Sequence, residues 1–413
     1  MDSAVFNKIE PPNPKSKRVR SMSTNRRIFL QQGIGLGLGA AGFLVGHAGS
    51  RRVWAADDSS ARSGMFDKGV GYLRARQSDD GSWSSNRQEP GITALVVTAL
   101  LRTNRVTPNE PAVVKALGYL EKFVGPKGGL SEAPHSVYST SVALMAFQEA
   151  NKQGRYEAQV KGCQEFLKSS QYDEGENKSR TDPEYGGLGY GGGNSRPDLS
   201  NTSFMIEALH DSGLPADDPA LQKALIFVSR CQNLKSEFND QPWAGKVNDG
   251  GFIYTSGAVA PPPGRAGRGR EGEAAKTRAE AKALDGGIRS TAGMTYAGLK
   301  SMVYAGLKPD DTRVKAALGY IAKNYTLDEN PGGGQRGLYY YYLMFARAMS
   351  ALGKPTFTDA SGKDHDWRAE LIAALAKRQD SNGAWVNNDD RFMEGDPNIV
   401  TSYALMALAA TAS

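Results

Sequence analysis

Cysteine and histidine are nearly missing from this chain of 413 residues, which has two of the first and four of the second. A metal centre built on thiolate or imidazole needs at least three such donors at close spacing. His47, His135, His210 and His365 form no such pattern, so neither metal nor cofactor is expected. Cys163 and Cys231 each stand among apolar residues at helical spacing, which reads as two small buried side chains rather than a disulfide. Long apolar runs are missing too: no stretch of 18 or more apolar residues is free of glycine, so no permanent membrane span is expected once a leader is removed. A basic body is the third absence, despite the net charge of +6. Residues 1–56 hold nine Lys or Arg against two acids, which leaves the remainder at −1 and sets nucleic acid aside as a partner. None of these features reads on the oligomeric state.

What is present begins with a leader. Ser23 to Gln31 reads Ser-Thr-Asn-Arg-Arg-Ile-Phe-Leu-Gln, a basic segment followed by a glycine-rich apolar run from Gly33 to Gly46. It resembles a twin-arginine export signal, with Arg26 and Arg27 as the pair. The resemblance implies a signal peptide over 1–55, cleaved after Ala55 where Val53 and Ala55 supply small-residue spacing, and delivery to the periplasm or beyond. An uncleaved anchor is the alternative.

From Met65 to the C-terminus two helical patterns alternate. One has apolar residues at spacings of three and four, as in Val113, Leu117, Leu120 and Phe123, the mark of a helix with a single apolar stripe. The other is shorter and nearly uncharged, with a small polar residue and an alanine six positions on. Thr93 precedes Ala99, Thr140 precedes Ala146, Thr202 precedes Ala208, Thr291 precedes Ala297 and Thr401 precedes Ala407, while Tyr340 stands for threonine ahead of Ala346. A helix that is apolar nearly all round must be buried, so the second kind forms an inner ring and the first an outer one. Six such pairs can close on themselves without capping repeats. The expected fold is therefore all-α: a single (α/α)6 toroid over 65–413. Residues 258–283, with Pro261-Pro262-Pro263 and a Gly-Arg-rich tract, are expected to form a disordered insertion.

Two turns ahead of inner helices carry Gln-x-x-x-Gly-x-Trp: Gln77, Gly81 and Trp83, then Gln379, Gly383 and Trp385. Gln can satisfy backbone groups at a helix end, Gly permits positive φ, and Trp covers the turn. Gln171 with Gly186 and Gln232 with Gly250 keep fragments of it. The spacing resembles the QW motif of squalene and oxidosqualene cyclases, and the single toroid also resembles protein prenyltransferase β subunits. That likeness implies a fold and an isoprenoid substrate class. The cyclases' acid motif, Asp-x-Asp-Asp-Thr, corresponds to Asp198-Leu199-Ser200-Asn201-Thr202, where two carboxylates are replaced. The prenyltransferases' zinc histidine would precede Thr401, where Val400 stands.

Candidate site residues are then of two kinds. Asp198 and Glu207 are the candidate catalytic carboxylates. Asp198 also suits a helix cap, while Glu207 lies inside an otherwise apolar inner helix and must be either paired, with Arg289 and Arg336 as the candidate cations, or protonated. On that reading Glu207 outweighs Asp198 in function, and Glu207→Gln preserves or raises stability. Tyr190, Phe204, Tyr254, Tyr296, Tyr339 and Tyr340, together with Arg289 and Arg336, are the expected ligand-binding residues, since aromatic faces hold isoprenoid chains, cations or sugars. Three functions remain open: an isoprenoid-directed cyclase-like or prenyltransferase-like enzyme, a non-catalytic toroid binding a ligand or peptide, and a polysaccharide-active toroid.

Overall fold

Proline and aspartate set where the helices begin. Pro90, Pro111, Pro219 and Pro397 open theirs at the first turn, where a missing N–H costs nothing. Asp198, Asp218, Asp311, Asp366 and Asp396 accept from first-turn N–H groups. The computed structural model describes residues 48–84, 89–191, 195–256 and 287–412. The arginine pair of the leader and the 258–283 segment lie outside the described residues.

Among the described residues twelve long helices alternate between two rings. The outer ones are α1 (Ala48–Arg74), α3 (Pro111–Glu121), α5 (Glu157–Ser169), α7 (Pro219–Arg230), α9 (Thr312–Lys323) and α11 (Trp367–Ala376). The inner ones are α2 (Pro90–Arg102), α4 (Ser136–Ala150), α6 (Leu199–Asp211), α8 (Ala292–Tyr304), α10 (Leu338–Leu352) and α12 (Pro397–Ala410). Each inner helix packs on the next, and α12 packs on α2, so the ring is closed. In α2 every residue from Pro90 to Leu101 is buried, whereas α3 buries one stripe of Val113, Ala116, Leu117, Tyr119 and Leu120. This is the all-α toroid that the alternating patterns predict. The described unit runs from Gly49, and α1 passes through the expected cleavage point at Ala55. A two-stranded hairpin, β1 (Phe357–Thr358) and β2 (Asp364–His365), precedes α11. Cys163 and Cys231 are buried and unpaired.

The Gln-Gly-Trp turns join neighbouring repeats. Gln77 Nε2 donates to Gly81 O of its own turn at 3.0 Å and to Ala112 O at the start of the next outer helix at 2.8 Å. Gln171 links Gly186 and Ala220, Gln232 links Gly250 and Arg313, and Gln379 links Gly383 and Met65 in the same way, the last closing the circle. Trp83 Nε1 and Trp385 Nε1 donate to Leu73 O and Leu375 O at the ends of their outer helices. Glycine is required at Gly186, where φ is +84° and an added Cβ would lie 1.9 Å from Lys223 O.

In five of the six repeats an inner-helix threonine locks the turn to its helix. Thr93, Thr140, Thr202 and Thr401 Oγ1 accept the backbone N–H of Trp83, Leu130, Leu188 and Trp385. In the fourth repeat Thr295 does this for Phe252, and Thr291 is the residue ahead of the helix. The marker expected at Thr291 is thus displaced by four residues, one helical turn, because two threonines stand at that spacing on one face.

Candidate functional site

The inner helices run parallel, so their first turns converge at one end of the barrel and their last turns at the other. Arg102, Glu149 and Asp211, from the last turns of α2, α4 and α6, meet at the second end. Arg102 donates to Glu149 at 2.9 Å, Glu207 at 3.1 Å and Asp211 at 2.7 Å. Arg347 of α10 donates to Asp211 at 2.7 Å, and its Nε comes within 2.8 Å of Glu207 Oε1, an ion-pair distance without hydrogen-bond alignment. Lys300 of α8, fully buried, donates to Glu207 Oε2 at 2.6 Å. Three carboxylates and three cations therefore close this end of the barrel. Burial alone would raise the Glu207 pKa, but Arg347, Lys300 and Arg102 together hold it well below the usual carboxylate range.

The other end is aromatic. Tyr138 of α4 meets Phe204 of α6 edge-on at 5.7 Å between centroids, Phe204 meets Tyr340 of α10 at 6.2 Å, and Tyr340 meets Tyr403 of α12 at 6.3 Å. This layer spans the axis, because its members come from helices that do not all adjoin. Tyr190 packs 6.2 Å from Tyr138 and is 43% exposed, and Tyr254 is 44% exposed. Both sit in turns whose carbonyls receive first-turn N–H groups, Val137 on Tyr190 and Leu199 on Tyr254. The turns are thereby fixed at the mouth.

Asp198 lies within this end and is 3% exposed. Its Oδ1 accepts Asn201 N at 2.8 Å and its Oδ2 accepts Asn201 Nδ2 at 2.7 Å, so it caps α6 as its position predicts. Desolvation pushes its pKa up to about 6, and the contacts from Asn201, Tyr254 and the Ser200 backbone only partly offset that. The two candidate carboxylates thus occupy opposite ends, one ionised among cations and one desolvated among aromatics.

The expected residues separate accordingly. Tyr190, Phe204, Tyr254 and Tyr340 come together at the mouth with Asp198. Tyr296 and Tyr339 do not: Tyr296 packs on Tyr341 and Phe345, and Tyr339 on Tyr342, in the wall between inner and outer helices. Of the four consecutive tyrosines, Tyr340 alone reaches the axial layer, as a turn of 100° per residue requires. The expected partners of Glu207 are corrected: Arg289 is exposed and Arg336 is half-buried in the turn ahead of α10, while Arg102, Lys300 and Arg347 supply the charge. Asn201, Tyr138 and the three cations are additions that the sequence reading did not single out. Lys300 had a signal, standing five residues after Thr295 as Glu207 stands five after Thr202. Among the described residues no group of three or more His, Cys, Asp or Glu is arranged to hold a metal ion, and no helix is long and apolar enough to cross a membrane.

The fold is that of the α/α-toroid proteins. Type II terpene cyclase MstE from Scytonema, in complex with geranylgeranyl dihydroxybenzoate, is similar over 86% of this chain and 99% of its own, with a TM-score of 0.52 and 11% identity. Its apo structure has a TM-score of 0.50 at 14% identity over 86% of this chain and 99% of its own. A D-mannose isomerase is similar over 84% of this chain and 96% of its own, with a TM-score of 0.50 and 11% identity. At these identities the likeness is one of fold. No protein-family model and no curated protein matches the sequence.

Proposed function

We propose that this toroid binds an apolar small molecule of isoprenoid type at its aromatic mouth. The observation that carries the reading is the aromatic layer of Tyr138, Phe204, Tyr340 and Tyr403 across the axis, roofed by the partly exposed Tyr190 and Tyr254. Large rings left in contact with water are a source of binding energy for an apolar chain, at roughly 25 cal/mol per Å² removed from water. A toroid of the same fold is bound to geranylgeranyl dihydroxybenzoate, which supports the ligand class by analogy. Export through the Arg26-Arg27 leader would place that binding in the periplasm or outside the cell.

Cyclisation is not part of the proposal. Protonating an alkene demands a strong acid in a dry site, whereas Asp198 has a pKa raised to about 6 and neutral Ser200 and Asn201 beside it. Such a group suits proton exchange with a heteroatom. Equilibrium dialysis of geranylgeraniol and of mannose oligosaccharides against the purified mature protein tests the reading. Saturable binding of the prenol alone is expected. Binding of the sugar alone would replace it with the polysaccharide reading, to which the mannose-isomerase likeness lends its fold.

A further inference from the structure

The mouth's polar groups indicate which end of a ligand it would receive. Asn201 is 2% exposed, and with Nδ2 committed to Asp198 its Oδ1 has no hydrogen-bond partner. Tyr340 Oη, at the same level of the barrel, has none either. Buried polar atoms without partners cost about 1–3 kcal/mol each, so two beside one desolvated carboxylate are an anomaly. Besides Asn201, which donates to both oxygens of Asp198, only the Tyr254 hydroxyl and the Ser200 backbone N–H act on that carboxylate as hydrogen-bonding groups. The groups acting most strongly on Asp198, Tyr190, Tyr254 and Tyr340 are one another, Asn201, Ser200 and the distant Glu207, and none is a cation.

A phosphate would ordinarily be held here by helix N-termini, since several converge. Several of their N–H groups are already spent. Val137 N and Leu199 N donate to Tyr190 O and Tyr254 O, and Asn201 N donates to Asp198. Ala292 N and Gly293 N donate to Pro331 O and Asn330 Oδ1, Tyr339 N and Tyr340 N to Glu394, and Asn398 N to Asp396. The cations on the axis, Arg102, Lys300 and Arg347, are committed to carboxylates below the aromatic layer, Lys300 reaching the underside of that layer 5.8 Å from the Phe204 centroid.

Resting on the apolar-ligand reading, we infer that the ligand enters with a hydrogen-bond-donating, non-anionic head, a hydroxyl or an amine, which pairs with Asn201 Oδ1, Asp198 and Tyr340 Oη. A diphosphate head would meet the Asp198 carboxylate and the Asn201 carbonyl oxygen with only the Tyr340 hydroxyl to donate to it, and a bare hydrocarbon would leave Asn201 Oδ1 and Tyr340 Oη unpaired. Tyr190 and Tyr254 would swing aside to admit the head, as their exposure permits.

The experiment compares geranylgeraniol, geranylgeranylamine, geranylgeranyl diphosphate and a hydrocarbon of the same length, by equilibrium dialysis against the purified mature protein. The alcohol, the amine or both should bind at least about tenfold more tightly than the diphosphate and the hydrocarbon, and which of the two leads identifies the donor. Tyr340→Phe, which removes an unpaired hydroxyl and keeps the ring, should fold and should narrow that preference several-fold. Diphosphate or hydrocarbon binding as tight as that of the alcohol and amine would overturn the inference and leave the apolar-ligand reading standing. Failure of all four to bind would overturn both.

Discussion

Replacing Glu207 with Gln removes one of three carboxylates that balance Arg102, Lys300 and Arg347, and leaves a net positive charge in a site where Glu207 is 2% and Lys300 0% exposed. Lys300 loses the one carboxylate at ion-pair distance from it among the described residues and keeps the Met344 sulfur at 3.6 Å and the face of the Phe204 ring, 5.8 Å from its centroid. Removing one partner of a buried ion cluster costs about 3–5 kcal/mol, because the remaining charges stay desolvated. This reverses the expectation, drawn from a carboxylate kept for function at a cost in stability, that Glu207→Gln preserves or raises stability. Urea unfolding at pH 7 should show a lower midpoint with an unchanged slope. Glu207→Gln with Lys300→Met restores the charge balance and should recover most of the loss, since replacing a buried pair with apolar groups is often near neutral. Because the folded Glu207 pKa is depressed, its contribution is present above its unfolded value near 4.3 and lost as pH falls through the folded value, so the penalty should be the same at pH 7 and pH 6. A loss under about 1 kcal/mol for Glu207→Gln would refute the reasoning.

Asp198 has the opposite linkage. Its folded pKa of about 6 exceeds the unfolded value, so its contribution is fully present below about pH 4 and is lost as pH rises through 6, a swing of about 3 kcal/mol. Asp198→Asn, which can still cap α6, should therefore stabilise the protein by about 1–3 kcal/mol at pH 8 and give no gain at pH 4, as read by thermal midpoints. Gln171→Leu strips the donor from Gly186 O and Ala220 O and should cost about 1–3 kcal/mol in urea unfolding; an unchanged midpoint would deny the turn its joining role. Changing Arg26 and Arg27 together to Lys should retain folded precursor in the cytoplasm, and unimpaired export in a fractionation assay would remove the twin-arginine assignment.

The ring was legible because burial acts on whole helices. A segment such as Pro90–Leu101, apolar on every face, has nowhere to go but the inner layer, and the Gln-x-x-x-Gly-x-Trp turns encode their geometry in three residues with distinct jobs. The ion cluster was less legible, since Arg102, Glu207, Lys300 and Arg347 come from four helices and no local pattern pairs them. Placing the fourth repeat's marker at Thr291 instead of Thr295 shifted Lys300 one turn away from the level of Glu207 and hid the one periodic clue. The tyrosines of 339–342 illustrate a third case: helical geometry says that they diverge, but only packing against Phe204 and Tyr403 selects Tyr340 for the axis.

The most direct test of the central claim is where a bound prenyl chain sits. A photoreactive diazirine analogue of geranylgeraniol, crosslinked to the mature protein and mapped by peptide mass spectrometry, should label the segments around Tyr190, Tyr254 and Tyr340, and Tyr190→Ala with Tyr254→Ala should abolish that labelling. Labelling concentrated on the outer helices, or unchanged in the double variant, would contradict the assignment of the aromatic mouth as the binding site.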